Sequence, residues 1–265
     1  MTNSFYIGTD YSTGVGDGFV YAESGIDKPY YVTSKGNITI GQALNIADGK
    51  KLIIGGANGH NADFTAGAIA AAGDLEFANV GDINVNQFVS SQNSTVNVKA
   101  NSWHSNVFQM LDSSNVSINL GHGAMSVEGN IENQSGGTLN IIAGNLTAAG
   151  MENGDVSGDI VLKLDSLNLT GGSSSVASLI SKGNFSATVA GATNFAHGVD
   201  LTSMGATNGF QLITNTLTIG DHIDSFYNNN LTEFIVKVTG GNIDAGEYTI
   251  VNGSSNANAN MQFEY

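Results

Sequence analysis

The sequence predicts an all-β fold, a parallel β-helix (β-solenoid), on three observations. A short pattern recurs along the chain: Gly or Ser, a polar residue, then an apolar–x–apolar triplet. Its copies are separated by nearly constant distances, which is typical of repeat architectures. The 265 residues include 35 glycines, and only 12% of residues are charged, against about 25% in a typical soluble domain. Strands joined by tight turns produce this composition.

The first apolar residue of each copy marks the repeat. These residues are separated by 21, 20, 23 and 21 positions, and they are Leu75, Val96, Val116, Leu139 and Ile160. An antiparallel sandwich, the alternative, has no reason to keep one motif at a fixed long spacing. In a solenoid, each coil covers the apolar face of its neighbour. We therefore expect coils of about 20–23 residues.

A second apolar set lies inside the same period. Met125, Leu146 and Leu167 are each 21 residues apart, so each coil offers at least two short strands. Gly-Asn pairs are expected to supply corners with positive φ, because glycine adopts that conformation without steric cost. Their glycines are Gly36, Gly129, Gly144, Gly183 and Gly241.

The elements are predicted in order. Residues 1–35, with five of the eight tyrosines and the single Pro29, form an N-terminal cap segment. Residues 36–265 form the solenoid, which becomes less regular after about residue 174. Few or no helices are expected: 39–48 has helical spacing for one or two turns, and 66–72 is a loop or a single turn. Residues 256–265 alternate as a strand that pairs with the last coil or with another molecule.

Charge and cysteine content limit the partners and the location. The net charge is −15, all eight basic residues are Lys and there is no Arg, so nucleic acid and anionic membrane surfaces are disfavoured. The absence of Cys is usual in a reducing compartment and is equally expected of bacterial proteins that cross membranes unfolded. No apolar run approaches the roughly 18 residues of a membrane-spanning helix, and no signal peptide is visible at the first residues. We expect an extracellular or bacterial cell-surface, outer-membrane-associated protein.

Enzymatic function is the second alternative, because some β-helical proteins are lyases or hydrolases of acidic polysaccharides. Resemblance to those enzymes would imply Asp ligands for Ca²⁺ with an Arg base, or paired Asp residues with His-Gly and Arg-x-Lys motifs. His122-Gly123 and His197-Gly198 are present, but the chain has no Arg and no Asp-Asp pair. We therefore expect a non-enzymatic protein without catalytic residues.

Metal and ligand signals are weak. The five histidines have no spacing typical of a metal site; they are His60, His104, His122, His197 and His222. The Gly-rich segments 15–18 and 55–61 are single, whereas calcium-binding β-rolls need tandem copies. Trp103-His104 is expected in a turn, where it could serve as a recognition spot. No metal ligand and no cofactor are predicted, and the binding residues stay undetermined.

The stacked triplets, the Gly-Asn pairs, the lack of Cys and Arg, and segments 209–217 and 245–253 resemble bacterial autotransporter passenger regions and β-helical surface adhesins. This resemblance covers the chain from about residue 36. It implies adhesion to a cell-surface glycan or protein, a surface coat, or self-association through the solenoid ends, with no transferable active site. A self-assembling S-layer or filament subunit is the first alternative. No barrel of amphipathic strands follows the repeats, which implies a fragment or another export route.

Overall fold

The computed structural model describes residues 5–7, 19–22, 30–34, 36–56, 61–171, 176–205, 207–220, 226–228, 233–245, 250–252 and 260–264. These residues form 22 β-strands and no helix. A helix long and apolar enough to cross a membrane is therefore absent from the described part of the chain.

The strands follow one another with short connections. They are β1 (Phe5–Ile7), β2 (Phe19–Ala22), β3 (Tyr30–Ser34), β4 (Ile38–Ile46), β5 (Lys51–Gly56), β6 (Phe64–Ala71), β7 (Asp74–Ala78), β8 (Asp82–Ser90), β9 (Thr95–Lys99), β10 (Ser102–Met110), β11 (Asn115–Asn119), β12 (Met125–Asn133), β13 (Gly137–Asn153), β14 (Gly158–Leu169), β15 (Leu179–Ser181), β16 (Asn184–Phe195), β17 (Val199–Leu201), β18 (Gly209–Ile219), β19 (Phe226–Asn228), β20 (Glu233–Ala245), β21 (Ile250–Asn252) and β22 (Asn260–Glu264).

The strands stack into three parallel ladders, so the chain is a β-solenoid with three faces. Ladder A contains the first halves of β4, β6, β8, β10 and β12, the middle of β13, and the ends of β14, β16, β18 and β20. Ladder B contains β1, the second halves of the same early strands, the end of β13, and β15, β17, β19 and β21. Ladder C contains β3, β5, β7, β9, β11, the starts of β13, β14, β16, β18 and β20, and β22.

The predicted repeat is confirmed residue by residue. Leu75, Val96, Val116, Leu139 and Ile160 are consecutive partners in ladder C. The second set, Met125, Leu146 and Leu167, is consecutive in ladder A. The inward-facing side chains form one continuous buried core, since each coil covers the apolar face of the next.

The helical expectation for 39–48 is wrong, and a bulge explains the error. Ile38 and Ile40 face the core on ladder A, and Leu44 and Ile46 face it on ladder B. The register shifts between Ile40 and Ala43, where the chain turns from one face to the next. That shift inserts an extra residue into the alternation, so the apolar spacing resembles the period of a helix.

The expectation of a loop or single turn at 66–72 is also wrong. Residues 64–71 form β6, whose buried residues Phe64 and Ala66 lie on ladder A and whose buried Ile69 and Ala71 lie on ladder B. The sequence pattern did not indicate this strand, because four of its eight residues are alanine, which is small and only weakly hydrophobic.

Gly36, Gly129, Gly144 and Gly183 do not have the positive φ expected of the Gly-Asn pairs. Among the glycines in the described part of the chain, positive φ occurs instead at Gly49, Gly121, Gly136, Gly137 and Gly198. Gly144 and Gly183 are needed for close packing between coils instead. A Cβ on Gly144 would collide with the carbonyl oxygen of His122, and one on Gly183 with that of Gly158.

Two tight turns between ladders B and C are built without glycine. Gln92 and Asn93 have φ of 55° and 59°, and Asp112 and Ser113 have φ of 53° and 56°. The N–H groups of Ser94 and Ser114 close these turns on the carbonyls three residues earlier, at 3.0 and 3.2 Å. Paired left-handed residues define a type I′ turn, and the sequence offered no glycine to indicate it.

The two ends of the chain add strands to the ladders. The strand expected within 256–265 is confirmed for β22, which pairs in parallel with β20 on ladder C; residues 256–259 and 265 lie outside the described residues. Near the start, β2 pairs antiparallel with β3, and β3 pairs in parallel with β5. The division of the chain at residue 35 stays a prediction.

Candidate functional site

Trp103 lies in the core, so its expected place in a turn is wrong. It is the second residue of β10 and only 1% exposed. Its indole N–H donates to Ser105 Oγ at 3.0 Å, inside an aromatic cluster with Phe88 and Phe108. Ser105 takes the place of the second apolar residue of the triplet, which is why the pattern hid this strand. Trp103 is therefore a packing residue.

The described histidines lie in separate places on the outside of the coils. His122 Nδ1 is 2.8 Å from Asp165 Oδ2, and His104 Nε2 is 3.8 Å from Glu128 Oε1. Both pairs are solvent-exposed, and such pairs contribute little to stability. His197 follows β16, where its N–H donates to Ser178 Oγ.

His60, His222 and the segment 15–18 lie outside the described residues, as do 57–60 of the second Gly-rich segment. Within the described ranges, no group of three or more His, Asp or Glu side chains is placed to hold a metal ion.

Hydrogen bonds within a turn change the pKa of one acidic side chain, Asp155. Asp155 Oδ1 accepts hydrogen bonds from the Ser157 hydroxyl at 2.6 Å and the Ser157 N–H at 2.8 Å. These bonds, together with the positive charge of Lys182, lower the pKa of Asp155 below its usual value. The carboxylate closes the turn between β13 and β14, which is a structural role.

Ladder C carries a shallow depression of about 200 Å³ on its outer side. Asp159, Asn184, Gly209 and Glu233 are consecutive partners along its rim. The Gly209 N–H donates to Asn184 Oδ1 at 2.9 Å, and Asn184 Nδ2 donates to Asp159 Oδ1 at 2.7 Å. Asn184 therefore connects Asp159 and Gly209 across three coils of this depression.

Cationic side chains are confined to one face. Every described lysine lies on ladder C or in the turn that precedes it; these are Lys50, Lys51, Lys99, Lys163, Lys182 and Lys237. Ladder B instead carries Glu132, Glu152 and Asp200 on its outer side, with Glu132 and Glu152 as direct register partners. Ladder B thus carries carboxylates and no described lysine, whereas ladder C carries the described lysines together with the turns that precede it.

Ladder A differs from both, because its central outward position is polar and uncharged in nine consecutive coils. We call these residues the ladder-A row: Thr39, Thr65, Asn84, His104, Ser126, Thr147, Asn168, Asn194 and Thr218.

Each row residue lies between two buried residues of its strand, and its own side chain is exposed or half-buried. Asn194 Nδ2 donates to Asn168 Oδ1 at 2.7 Å, so at least part of the row is ordered from coil to coil.

The ladder-A row was not identified from the sequence, although its signal was present. Ser126, Thr147 and Asn168 each follow directly after a member of the second apolar set, Met125, Leu146 or Leu167. Aligning the residues between the apolar positions, rather than the apolar positions alone, would have revealed it.

The fold and its faces define the class of protein, a parallel β-solenoid with a buried core and three chemically distinct outer faces. No protein-family model, curated protein or solved structure matches the chain.

Proposed function

We propose that the chain is a non-enzymatic structural or adhesive protein of the bacterial cell surface or the extracellular space, comparable to an autotransporter passenger region. One observation carries the proposal: three ladders stack in register around one continuous core. Such a body presents the same outward positions again in every coil, so weak contacts made by one coil are multiplied along the face.

The charge distribution supports this role. The net charge of −15 favours solubility and repels anionic polymers, while the ladder-A row offers a long line of polar side chains without a carboxylate or a lysine. On the rim of ladder C, Asn184 donates to Asp159 and accepts from the Gly209 N–H, and these bonds across coils suit a structural surface better than an acid–base pair awaiting substrate.

The experiment measures retention of the purified, labelled protein on intact bacterial and host cells, and labelling of the protein on intact producing cells by antibody. We expect saturable retention by the folded protein and none by the unfolded variant Ile141→Asp. Absence of the protein from the cell exterior, or equal retention of the unfolded variant, contradicts the proposal.

An enzymatic role is tested separately. Product release from polygalacturonate or alginate is expected to stay at background, because the chain has no Arg to bind the acidic sugar. Release that disappears in Asp159→Asn or Glu233→Gln would replace the structural role with catalysis at the ladder C depression.

A further inference from the structure

The ladder-A row places hydrogen-bonding groups in register from coil to coil. Its nine members occupy nine consecutive coils. Neighbouring strands lie about 4.8 Å apart, so the row extends over about 38 Å. The described side chains are threonine, serine, asparagine and histidine, which together offer both donors and acceptors.

The row differs from the matching central row of ladder C. That row is interrupted by carboxylate and aliphatic side chains at Glu76 and Val161, and Val161 is 43% exposed. The ladder-A row has no such interruption between Thr39 and Thr218. A ligand that lies along the ladder-A row therefore meets a hydroxyl, amide or imidazole side chain in each of these nine coils, and the register partner of Thr218 in the next coil is Asp244.

We propose that the ladder-A row binds an uncharged polysaccharide, laid along the solenoid axis. This inference rests on the proposed adhesive function and names its partner. A neutral polyhydroxylated chain supplies a donor and an acceptor at each sugar, matching a row that repeats hydroxyl and amide groups at a constant step.

Charge and shape both favour this ligand. A polyanion is repelled by a protein of net charge −15. A protein partner needs a broad patch of about 800 Å² per side with buried aromatic anchors, whereas the row is one residue wide and carries no large apolar side chain. A single polymer strand fits a narrow, long row of polar side chains, even though the carboxylates of Asp82 and Glu128 lie beside it.

Avidity follows from the repeat. One coil contributes only one or two hydrogen bonds in water, each worth little by itself. A polymer that engages several coils at once gains affinity without any new type of contact. Binding is therefore expected to increase steeply with the length of the oligosaccharide.

The experiment uses the full chain and measures its retention on immobilised mannan, dextran and β-glucan, with polygalacturonate as the anionic comparison. The test variant combines Thr65→Ala, Ser126→Ala and Thr147→Ala, which removes three outward side chains of the row. The matched control combines Asn97→Ala, Ser117→Ala and Asn140→Ala, three consecutive outward residues of ladder C.

We expect at least one neutral polymer to retain the wild-type chain, a tenfold or greater loss in the ladder-A variant, and a change of less than twofold in the ladder-C control. Equal losses in both variants, an unchanged ladder-A variant, or no retention on any neutral polymer would overturn the proposal.

A second readout separates the row from the adhesive function itself. Cell retention that persists in the ladder-A variant would refute the ladder-A row as the binding site while leaving the adhesive function intact. A change in the oligomer mass of the ladder-A variant by light scattering, without a change in glycan retention, would assign the row to contact between two copies of the chain. That result would refute the binding of a polysaccharide by the row.

Discussion

The coils up to Ile160 and the coils from Phe185 onward differ in length but build the same ladders. The consecutive core positions of ladder C up to Ile160 are 20–23 residues apart. From Ile160 the steps to Phe185, Phe210, Phe234 and Met261 are 25, 25, 24 and 27 residues. The added residues fall between strands, for example in 170–178 between β14 and β15 and in 202–208 between β17 and β18.

The same core position also changes its chemistry between the two regions. It is aliphatic from Leu52 to Ile160 and becomes Phe185, Phe210 and Phe234 in the later coils. The rings of Phe185 and Phe210 are stacked with centroids 5.2 Å apart. The comparison teaches that register and inward apolar character define the fold, while turn length and side-chain type vary.

The largest expected effect comes from placing a charge in the regular region. Ile141 is 1% exposed in the middle of β13, so Ile141→Asp buries an unpaired carboxylate at a cost of several kcal/mol. We expect the domain to unfold, measured by circular dichroism and thermal melting. The control Asn140→Asp, on the outward side of the same strand, is expected to keep the wild-type melting temperature. The opposite ranking of the two variants would show that the assigned register is incorrect.

The later coils are tested by removing their last strand. Phe234 and Val236 are 1% and 2% exposed, and their register partners lie in β22. Deleting residues 256–265 removes those partners. Each side chain exposed in full costs about 1.5–3 kcal/mol, and the uncovered strand edge can template association.

We expect the truncated chain to form larger species in size-exclusion chromatography with light scattering. The reference is the full chain over the same concentration range. An unchanged mass together with unchanged stability would show that β22 neither covers the core nor controls association.

A third change tests the junction between the two regions. Asn153 is fully buried at the end of β13, and its Nδ2 donates to the carbonyls of Gly158 and Asn184 at 2.9 and 3.0 Å. Its Oδ1 accepts from Asn133 Nδ2 at 3.2 Å. Asn153→Leu removes all three hydrogen bonds and leaves these groups unsatisfied in part, since Asn133 Nδ2 keeps only its bond to the Gly137 carbonyl at 3.2 Å.

Each such unsatisfied group costs about 1–3 kcal/mol, so we expect a clear fall in the denaturant midpoint. The exposed Asn97→Leu on β9 serves as the control and should change the midpoint little. Equal effects of the two substitutions would mean that the buried asparagines do not connect the regions.

The sequence predicted the ladders whose inward residues are consistently apolar. Ladder C was found in the early coils because alternation such as Val116-Ser117-Ile118 exposes it directly. Ladder B was not recognised, because its strands end on buried polar residues such as Ser90, Asn133 and Asn153. Inside the core, Ser90 bonds to Ser114, Asn133 donates to Asn153, and Asn153 donates to the backbone. These bonds join different coils, so they are not visible in the sequence of one strand.

The candidate site was less predictable than the fold. A polar residue between two apolar ones is ordinary in any half-buried strand. The fixed step of the second apolar set could have aligned only Ser126, Thr147 and Asn168, whereas the rest of the row depends on a register that includes bulges such as that between Ile40 and Ala43. The sequence therefore predicts the existence of outer faces and leaves their chemical identity to the structure.

The smallest expected effect concerns the stacked rings of the later coils. Phe185 and Phe210 are inclined by only 12°, and Phe210 continues the stack to Phe234 at 5.5 Å and 20°. In a double-mutant cycle with Phe185→Leu and Phe210→Leu, we expect a coupling free energy of about 0.5–1.5 kcal/mol, which is typical of aromatic pairs beyond their buried area. Urea unfolding of the four proteins measures it. A second cycle joins Phe210 with Phe77, a ring of the early coils, and should be additive within about 0.5 kcal/mol because the two rings are far apart. If the two cycles give the same coupling, the later rings contribute only by filling volume, and the aromatic column has no energetic role that the aliphatic column of the early coils lacks.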